Sequence, residues 1–365
     1  MADTGLYIGM ISGTSRDGVD AALVSFESGK PRLIDSLCLP YPPDLSALLK
    51  DMIETGQRPR DNELEKADVL LSDFFGQAAQ ALLDQAGIEP SAITATGSHG
   101  QTVWHDPDGA IPESIQLGSP QSISQQTGIV TVGDFRRADI EAGGQGAPLA
   151  PLLHQTLFKP QSGVRVVLNL GGIANVSILG GDGSVSGFDT GPANCLMDAW
   201  IQEQLGQPYD SEGAWSAGGE VNKLLLLHLL TDPWFKKPPP KSTGVEYFNL
   251  QWLKQQQLVH SSDPRNVQAT LAQLTASSAA SAIATLDPED VLVCGGGVHN
   301  TDLRRRLQEL LPESPVLSTA DLGLDPDCVE AVLFAWLARE RLSGRPQDTQ
   351  KITGARHPVL LGAYK

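Results

Sequence analysis

The feature that most constrains the fold is a pattern of strand, glycine-rich turn and strand that occurs twice. The first copy spans residues 7–26, with its turn at 13–20. The second spans residues 164–179, with its turn at 171–175. Apolar runs bounded by Gly, Ser and Asp indicate two strands joined by a tight turn. The chain is therefore predicted to contain two halves, each built around such a hairpin.

Similar elements follow each hairpin in the same order. Each half continues with a third strand, a helix, and two further strands that end in polar or glycine-rich loops. This order predicts an α/β protein with duplicated lobes, residues 1–150 and 151–365, and a C-terminal helix that could cross back to the first lobe. About forty extra residues in the second half fall near 210–249. Two such lobes facing each other would aim both turns into one central cleft.

Composition excludes several classes of partner. The 365 residues carry a net charge of −17, and such a surface repels nucleic acid and anionic membranes. The four cysteines are widely spaced, with no metal-binding pattern, which indicates free thiols in a reducing compartment. The N-terminus does not resemble a signal peptide, and no apolar run is long enough to span a bilayer. We therefore expect a soluble, cytoplasmic protein.

The first turn suits a bound phosphate. Gly13 and Gly18 allow close backbone approach, and Thr14 with Ser15 adds hydroxyl donors beside an anion-binding nest of N–H groups. The acidic side chains of this turn, Asp17 and Asp20, would each repel phosphate unless a divalent cation lay between the carboxylate and the phosphate. The alternative is an ordinary surface hairpin turn. A Walker A loop is excluded because no Lys-Ser/Thr pair follows the second glycine.

Asp189 is the predicted catalytic base. The residue closes a predicted strand and precedes Thr190-Gly191-Pro192, which leads into a helix. The dipole at that helix N-terminus should favour the ionised carboxylate. The alternative interpretation is that Asp189 is an N-cap. Its predicted position in the cleft, between glycine-rich turns, favours the catalytic role.

Other candidates lie on loops or at a helix start. His99 and Gln101, on a predicted glycine-rich loop, could contact a polar substrate, and Arg136 could oppose a carboxylate or phosphate. Each could equally be a solvated surface residue. Glu330 lies near the start of a helix, where an acidic residue also complements the dipole. The glycines at 295–297 allow a flat ring such as adenine to approach, or simply pack a helix against a strand.

Six motifs occur in order along the chain: GMISGTSRDGVD at 9–20, GSHGQT at 97–102, DFRR at 134–137, GGQGAP at 143–148, FDTGP at 188–192 and CGGG at 294–297. Together they resemble the anhydro-N-acetylmuramic acid kinase family, over residues 7–362. Arg16 departs from the family pattern, in which an apolar residue is expected.

The resemblance implies duplicated ribonuclease-H-like domains of the actin-like ATPase superfamily. It implies that ATP, water and 1,6-anhydro-N-acetylmuramic acid give N-acetylmuramic acid 6-phosphate and ADP in murein recycling, with Mg²⁺ as cofactor and a homodimer as assembly. Asp189 and Glu330 are the expected catalytic residues, and His99, Gln101 and Arg136 the substrate-binding ones. The ATP-binding residues expected are Gly13, Thr14, Ser15, Arg16, Asp17, Gly18, Val19, Asp20, Gly171, Gly172, Asn175, Gly295, Gly296 and Gly297.

Two alternatives remain open at this point. The first is a conventional sugar or acetate kinase of the same fold, which transfers phosphate without hydrolysing its substrate. The second is an actin- or Hsp70-like binding protein gated by nucleotide. The chain has no additional peptide-binding domain, which argues against the second alternative.

Overall fold

The computed structural model describes residues 4–13, 18–239 and 241–364, apart from the side chain of Glu54. The chain divides into two compact units. Unit 1 comprises Met1–Leu157 and Cys328–Lys365, and unit 2 comprises Phe158–Asp327. The sequence predicted a boundary near residue 150. In the structure the division falls seven residues later, and the last 38 residues of the chain belong to unit 1.

Groups of strands and groups of helices follow one another along the chain. Strands are β1 Leu6–Ser12, β2 Gly18–Ser25, β3 Arg32–Pro40, β4 Ile93–Asp106, β5 Glu113–Leu117, β6 Thr131–Val132, β7 Val164–Leu170, β8 Ile173–Gly180, β9 Val185–Pro192, β10 Asp290–Cys294 and β11 Val316–Ser318. Helices are α1 Pro43–Glu54, α2 Asp61–Ala86, α3 Pro120–Thr127, α4 Arg137–Glu141, α5 Ala150–Phe158, α6 Asn194–Leu205, α7 Ala214–Ala217, α8 Lys223–Leu229, α9 Leu250–Lys254, α10 Gln257–His260, α11 Pro264–Ile283, α12 Thr301–Leu310 and α13 Val329–Leu342.

The two sheets share one topology. In unit 1 the order is β3-β2-β1-β4-β6, with β5 pairing the outer part of β4, and in unit 2 it is β9-β8-β7-β10-β11. In each sheet the hairpin and third strand are antiparallel, and the fourth and fifth strands run parallel to the first. This is the ribonuclease-H-like arrangement, present once in each unit. The predicted duplicated α/β fold is confirmed.

Several sequence signals form the expected elements. The apolar stripe of α2 buries Leu71, Phe75 and Leu82 against the sheet of unit 1, and Gly87 ends the helix in the left-handed conformation. Asp263 caps α11 by accepting a hydrogen bond from the Arg265 N–H. The N-cap of α2 is Arg60, and its backbone N–H donates to the Glu63 carboxylate.

The predicted turn at residues 97–102 is wrong, because these residues lie inside β4. Gly97 and Ser98 pair with β1, and Gln101 and Thr102 pair with β5. The backbone N–H and C=O groups of this part of β4 therefore form hydrogen bonds with neighbouring strands on both sides, and its polar side chains belong to a buried strand. His99 and Gln101 are buried strand residues rather than loop residues.

Two adjacent glycines let α13 lie directly on this sheet. Gly9 of β1 and Gly97 of β4 are register partners. A Cβ on Gly9 would overlap the Ala331 carbonyl oxygen and lie 2.6 Å from the Ala335 nitrogen. A Cβ on Gly97 would overlap the Phe334 carbonyl oxygen. Only glycine allows such close approach of backbone to backbone, and the approach fixes the height of α13 above the strands.

Unit 2 has its own core, in which the inserted segment takes part. The apolar residues of β7, β8 and α11 pack with Trp234 and Phe248 of the insertion. Phe248 contacts both Trp234 and Trp252 edge-on. The insertion is thus folded onto the sheet and held there by aromatic packing. Among the described residues, no helix is long and apolar enough to cross a membrane.

Candidate active site

The phosphate turn of unit 1 is described only at its two edges. Thr14, Ser15, Arg16 and Asp17 lie outside the described residues. Gly18, Val19 and Asp20 were expected in the turn, but they already belong to β2. The side chain of Val19 is fully buried in the core, so its predicted contact with ATP is limited to its backbone. A side chain on Gly18 would overlap the Leu39 carbonyl oxygen of β3.

A buried pair of side chains joins this turn to β4. The Ser12 hydroxyl donates to Oε1 of Gln101 at 2.7 Å. The Gln101 amide nitrogen lies 3.5 Å from the Gly13 carbonyl oxygen and donates to the Thr102 carbonyl at 3.1 Å. The amide of Gln101 therefore has partners on both its oxygen and its nitrogen. It holds the end of β1 where the turn begins.

His99 and Arg136 form a second pair in unit 1. The Nε of Arg136 donates to Nε2 of His99 at 3.0 Å, while Nδ1 of His99 lies 3.1 Å from the Gly100 carbonyl oxygen. Because the carbonyl can only accept, the Nδ1 carries the proton and the ring is neutral. Burial, and then the charge of Arg136, holds the pKa of His99 well below its usual range. The ring also stacks on Phe334 of α13.

Glu330 belongs to the same group of charges. It lies in the first turn of α13 and retains solvent-exposed surface. Protein nonetheless crowds the carboxyl enough that desolvation raises its pKa. The charge of Asp20 raises this pKa further, and Arg136 opposes the shift. Burial lowers the pKa of Arg136 itself to about 10, against the charge of Glu330. In the structure, therefore, the charges of Asp20, Arg136 and Glu330 affect the pKa values of one another or of His99.

Asp189 lies in unit 2, within β9 rather than at its end. It is the register partner of Asn175 on β8, which pairs in turn with Asn169 on β7. The Asp189 N–H donates to the Lys241 carbonyl at 3.0 Å, and the Thr243 N–H donates to Oδ2 of Asp189 at 2.8 Å. Asp189 is not an N-cap, since α6 begins at Asn194 after Ala193. The alternative interpretation of this residue is therefore wrong.

The predicted ionisation of Asp189 is also wrong. The pKa of Asp189 is raised to about 7, mainly by burial and to a smaller extent by the charge of Glu246, against the Thr243 hydrogen bond and the charge of Lys241. The dipole of α6 acts only over its first turn, and Asp189 lies five residues before that helix. A carboxyl with a pKa near neutrality is suited to accept a proton at physiological pH.

The two glycine turns of unit 2 meet at the end of β7. Gly295 has a φ of +77°, and a Cβ there would overlap the Asn169 side chain. A Cβ on Gly297 would lie 2.6 Å from Leu170, whereas one on Gly296 would meet no atom within 4 Å. The carboxyl ends of parallel strands β7 and β10 thus present an open edge at Gly296, and ligands of α/β proteins bind at such edges.

The other turn is oriented by the helix that follows β9. The Gly171 carbonyl accepts from the Asn194 N–H, and the Gly172 carbonyl accepts from the Ala193 and Cys195 N–H groups. These carbonyls therefore satisfy the amino-terminal end of α6. Phosphate oxygens require donors, so any contact of this turn with phosphate involves N–H groups or Asn175 rather than these carbonyls.

Three residues of the candidate site were missed by sequence reasoning. Lys241 and Thr243 hold Asp189 from the insertion, 52 and 54 positions further along the chain. Asn169 of β7 is the register partner of Asn175 on β8, which in turn pairs with Asp189 on β9. Lys241-Ser242-Thr243 carries no local motif, so no sequence signal could place it beside Asp189. Asn169 was detectable, because it is a polar residue that directly follows the buried apolar residues 166–168 of β7.

The comparisons with known proteins agree with this description. The family model "Anhydro-N-acetylmuramic acid kinase" matches residues 5–365. The chain belongs to this family. Relatives described as anhydro-N-acetylmuramic acid kinase include one from Shewanella halifaxensis, 45% identical and covering 98% of both chains. Another, from Xanthomonas axonopodis, is 46% identical, covering 99% of this chain and 98% of its own.

One solved structure resembles this chain only distantly, and only in the course of its backbone. The activator of the 2-hydroxyisocaproyl-CoA dehydratase from Clostridium difficile gives a TM-score of 0.48 at 10% identity, covering 94% of this chain and 98% of the other. Membership of the anhydro-N-acetylmuramic acid kinase family rests on the sequence relatives. As a member, the protein is a phosphotransferase that uses ATP and acts on a sugar hydroxyl.

Proposed function

We propose that this kinase opens the anhydro bridge of 1,6-anhydro-N-acetylmuramic acid with water and phosphorylates O6 of the same molecule, with Asp189 as the general base. One observation carries this proposal. The Asp189 carboxyl is half-buried, its pKa is raised to about 7, and a backbone N–H fixes one of its oxygens. A fixed carboxylate that titrates near neutrality is what activation of a water molecule requires.

The proposed reaction transfers one proton, forms two bonds and breaks two. The Asp189 carboxylate takes a proton from water as the water oxygen forms a bond to the anomeric carbon C1. The bond between C1 and O6 breaks, and its electron pair stays on O6. That oxygen attacks the γ-phosphorus of ATP, and ADP leaves with the electrons of the broken phosphoanhydride bond. Asp189 then returns its proton to solvent, while the second proton of the water stays on the new C1 hydroxyl.

Unit 1 would bind the sugar and the phosphates. Arg136 is a cation half-buried beside a neutral His99, so it can oppose the carboxylate of the sugar's lactyl group. Glu330, whose pKa is raised, can share a hydrogen bond with a sugar hydroxyl. Gln101 holds the start of the phosphate turn through Ser12. The turn itself would bind the ATP phosphates through its N–H groups.

Mg²⁺ is the proposed metal, and the described residues fit it in part. Asp20 lies close enough to Glu330 to raise its pKa, so a cation near these two carboxylates would relieve their repulsion. Among the residues described, no group of three metal-binding side chains occurs. This suits Mg²⁺, which is commonly held by one or two carboxylates, water and nucleotide phosphates. When bound, the ion would neutralise charge on the transferred phosphate.

The remaining proposals concern the setting of the reaction. We infer a role in murein recycling, because the substrate is a cell-wall fragment. The wide spacing of the four cysteines in the sequence supports a reducing compartment such as the cytoplasm. A homodimer is proposed from the family resemblance alone. Sedimentation of the purified protein would test the assembly, and a monomer at micromolar concentration would contradict it.

The decisive assay measures ADP release with three sugars in parallel. We expect turnover with 1,6-anhydro-N-acetylmuramic acid and a product that gains the mass of phosphate plus water. In ¹⁸O-labelled water, the label should appear at C1. Turnover only with N-acetylmuramic acid or N-acetylglucosamine would indicate a conventional sugar kinase. ATP binding without turnover on any of the three sugars would indicate the nucleotide-gated binding protein.

Asp189→Asn tests the proposed base. General-base catalysis contributes about 10²–10⁴-fold, so kcat should fall by at least that range. ATP binding, followed by fluorescence or calorimetry, should survive, because the amide keeps the size of the side chain and can still accept from Thr243. Turnover near the level of the unsubstituted enzyme would remove Asp189 from the mechanism.

A further inference from the structure

A short segment of the insertion holds the candidate base on two sides. We define the base-holding segment as residues 241–246. Its Lys241 carbonyl accepts from the Asp189 N–H, and its Thr243 N–H donates to Oδ2 of Asp189. Among the residues that the structure describes, no group donates a hydrogen bond to Oδ1 of Asp189. The segment therefore fixes the rotation of the carboxyl and directs Oδ1 to accept the proton.

Lys241 anchors this segment through its own side chain. The ammonium nitrogen donates to the Phe235 carbonyl at 3.2 Å and lies 4.3 Å from the centre of the Trp234 ring. Trp234 is buried and donates its ring N–H to the Ser242 carbonyl at 3.1 Å. The lysine is thus held between an aromatic face and a carbonyl, a position that a flexible surface lysine would not keep.

Two charges of opposite sign act on Asp189 from this segment. The positive charge of Lys241 lowers the pKa of Asp189, and the negative charge of the exposed Glu246 raises it. On β8 the register partner of Asp189 is the uncharged Asn175. Burial lowers the pKa of Lys241, the charge of Asp189 raises it and the charge of Lys237 lowers it. Burial has the largest effect on the pKa of Asp189, and the two charges that modify this pKa both come from residues 241–246.

We propose that Lys241 is a positioning residue that acts through Asp189. The Lys241 carbonyl orients Asp189 by accepting its backbone N–H, and the Lys241 side chain anchors the base-holding segment on Trp234 and Phe235. The charges of Lys241 and Glu246 together set the pH range in which the base is ionised. This rests on the proposed function of Asp189.

The test compares Lys241→Met with Lys241→Arg in the full-length enzyme. Methionine keeps an apolar chain of similar length without the charge, and arginine keeps the charge and the stacking on Trp234. The acid limb of kcat/KM against pH reports the base in the free enzyme. For Lys241→Met, the midpoint of the acid limb should rise by about 0.5–1 pH unit, so that kcat/KM at pH 6 falls by roughly three- to sevenfold more than at pH 8.5. Lys241→Arg should keep the original midpoint.

A purely structural role for Lys241 predicts a different profile. Activity would then fall by the same factor at every pH with the midpoint unchanged, and that result would overturn the proposal. Glu246→Gln provides an independent test, because Glu246 is exposed and its removal should not impair folding. In Glu246→Gln, the midpoint of the acid limb of kcat/KM should shift to lower pH. If Lys241→Met does not fold, an unchanged midpoint in Glu246→Gln overturns the proposal on its own.

Asp189→Asn separates this inference from the proposed function. If Asp189 is the base, this variant should lose the acid limb along with most of its activity. An acid limb that persists in Asp189→Asn would refute the proposed function of Asp189. An acid limb that disappears in Asp189→Asn but stays unshifted in the Lys241→Met and Glu246→Gln variants would refute only the role of the base-holding segment.

Discussion

Gly9→Ala tests how the sheet of unit 1 positions Glu330. The added Cβ would lie 2.6 Å from the Ala335 nitrogen and would overlap the Ala331 carbonyl oxygen. An ordinary contact between carbon and a backbone polar atom is about 3.3–3.6 Å. Helix α13 must therefore retreat by roughly 1 Å or more. Glu330, one residue before Ala331, must move with it.

Gly9→Ala is expected to lower both the stability of the protein and its catalytic rate. Overpacking of this kind destabilises by about 1–3 kcal/mol. For a unit of the size of unit 1, each kcal/mol corresponds to a fall in the melting temperature of about 2–4 °C. A misplacement of about 1 Å in a positioning element can cost about 10²-fold in rate. We therefore expect kcat to fall by one to two orders of magnitude at temperatures where the protein remains folded.

The assay combines thermal unfolding with ADP release at 25 °C. Gly296→Ala is the matched control for stability, because its Cβ would meet no atom within 4 Å and its melting temperature should not change. A Gly9→Ala variant with an unchanged melting temperature and a kcat within twofold of the unsubstituted enzyme would refute the reasoning. It would mean that α13 does not depend on this close contact.

Two further predictions concern unit 2. Asp302→Ala should lower the free energy of unfolding by about 3–5 kcal/mol in urea titrations, because it leaves the buried Arg306 without its carboxylate partner; a loss below 1 kcal/mol would contradict this. Burial, and then the charge of Asp210, raises the pKa of Asp198 to about 7 from an unfolded value near 3.8. The folded state therefore holds more protons between these values, and stability from this group falls as pH rises through the window. Asp198→Asn should flatten the unfolding free energy between about pH 4 and pH 7, and an unaltered slope would exclude Asp198 as the source.

Sequence reasoning failed where polar residues lie inside a sheet. Ser98, His99 and Gln101 follow a glycine and look like a loop, yet β4 continues through them. The strand is possible because β1 and β5 satisfy its backbone and because Arg136 and Ser12 bind the side chains of His99 and Gln101. Those partners lie at sequence distances of 37 and 89, beyond the range of any local pattern.

The amino-acid sequence by itself determined the two hairpins, the third strands and the long helices, because apolar periodicity and glycine or aspartate caps are local signals. It also identified Asp189 as the candidate base. Only the tertiary structure decided how that carboxyl behaves. Its pKa of about 7 depends on burial and on the contacts of Thr243, Lys241 and Glu246 from a distant insertion. Desolvation and charge act through space, so a residue's chemical type is written in the sequence while its ionisation depends on which segments fold against it.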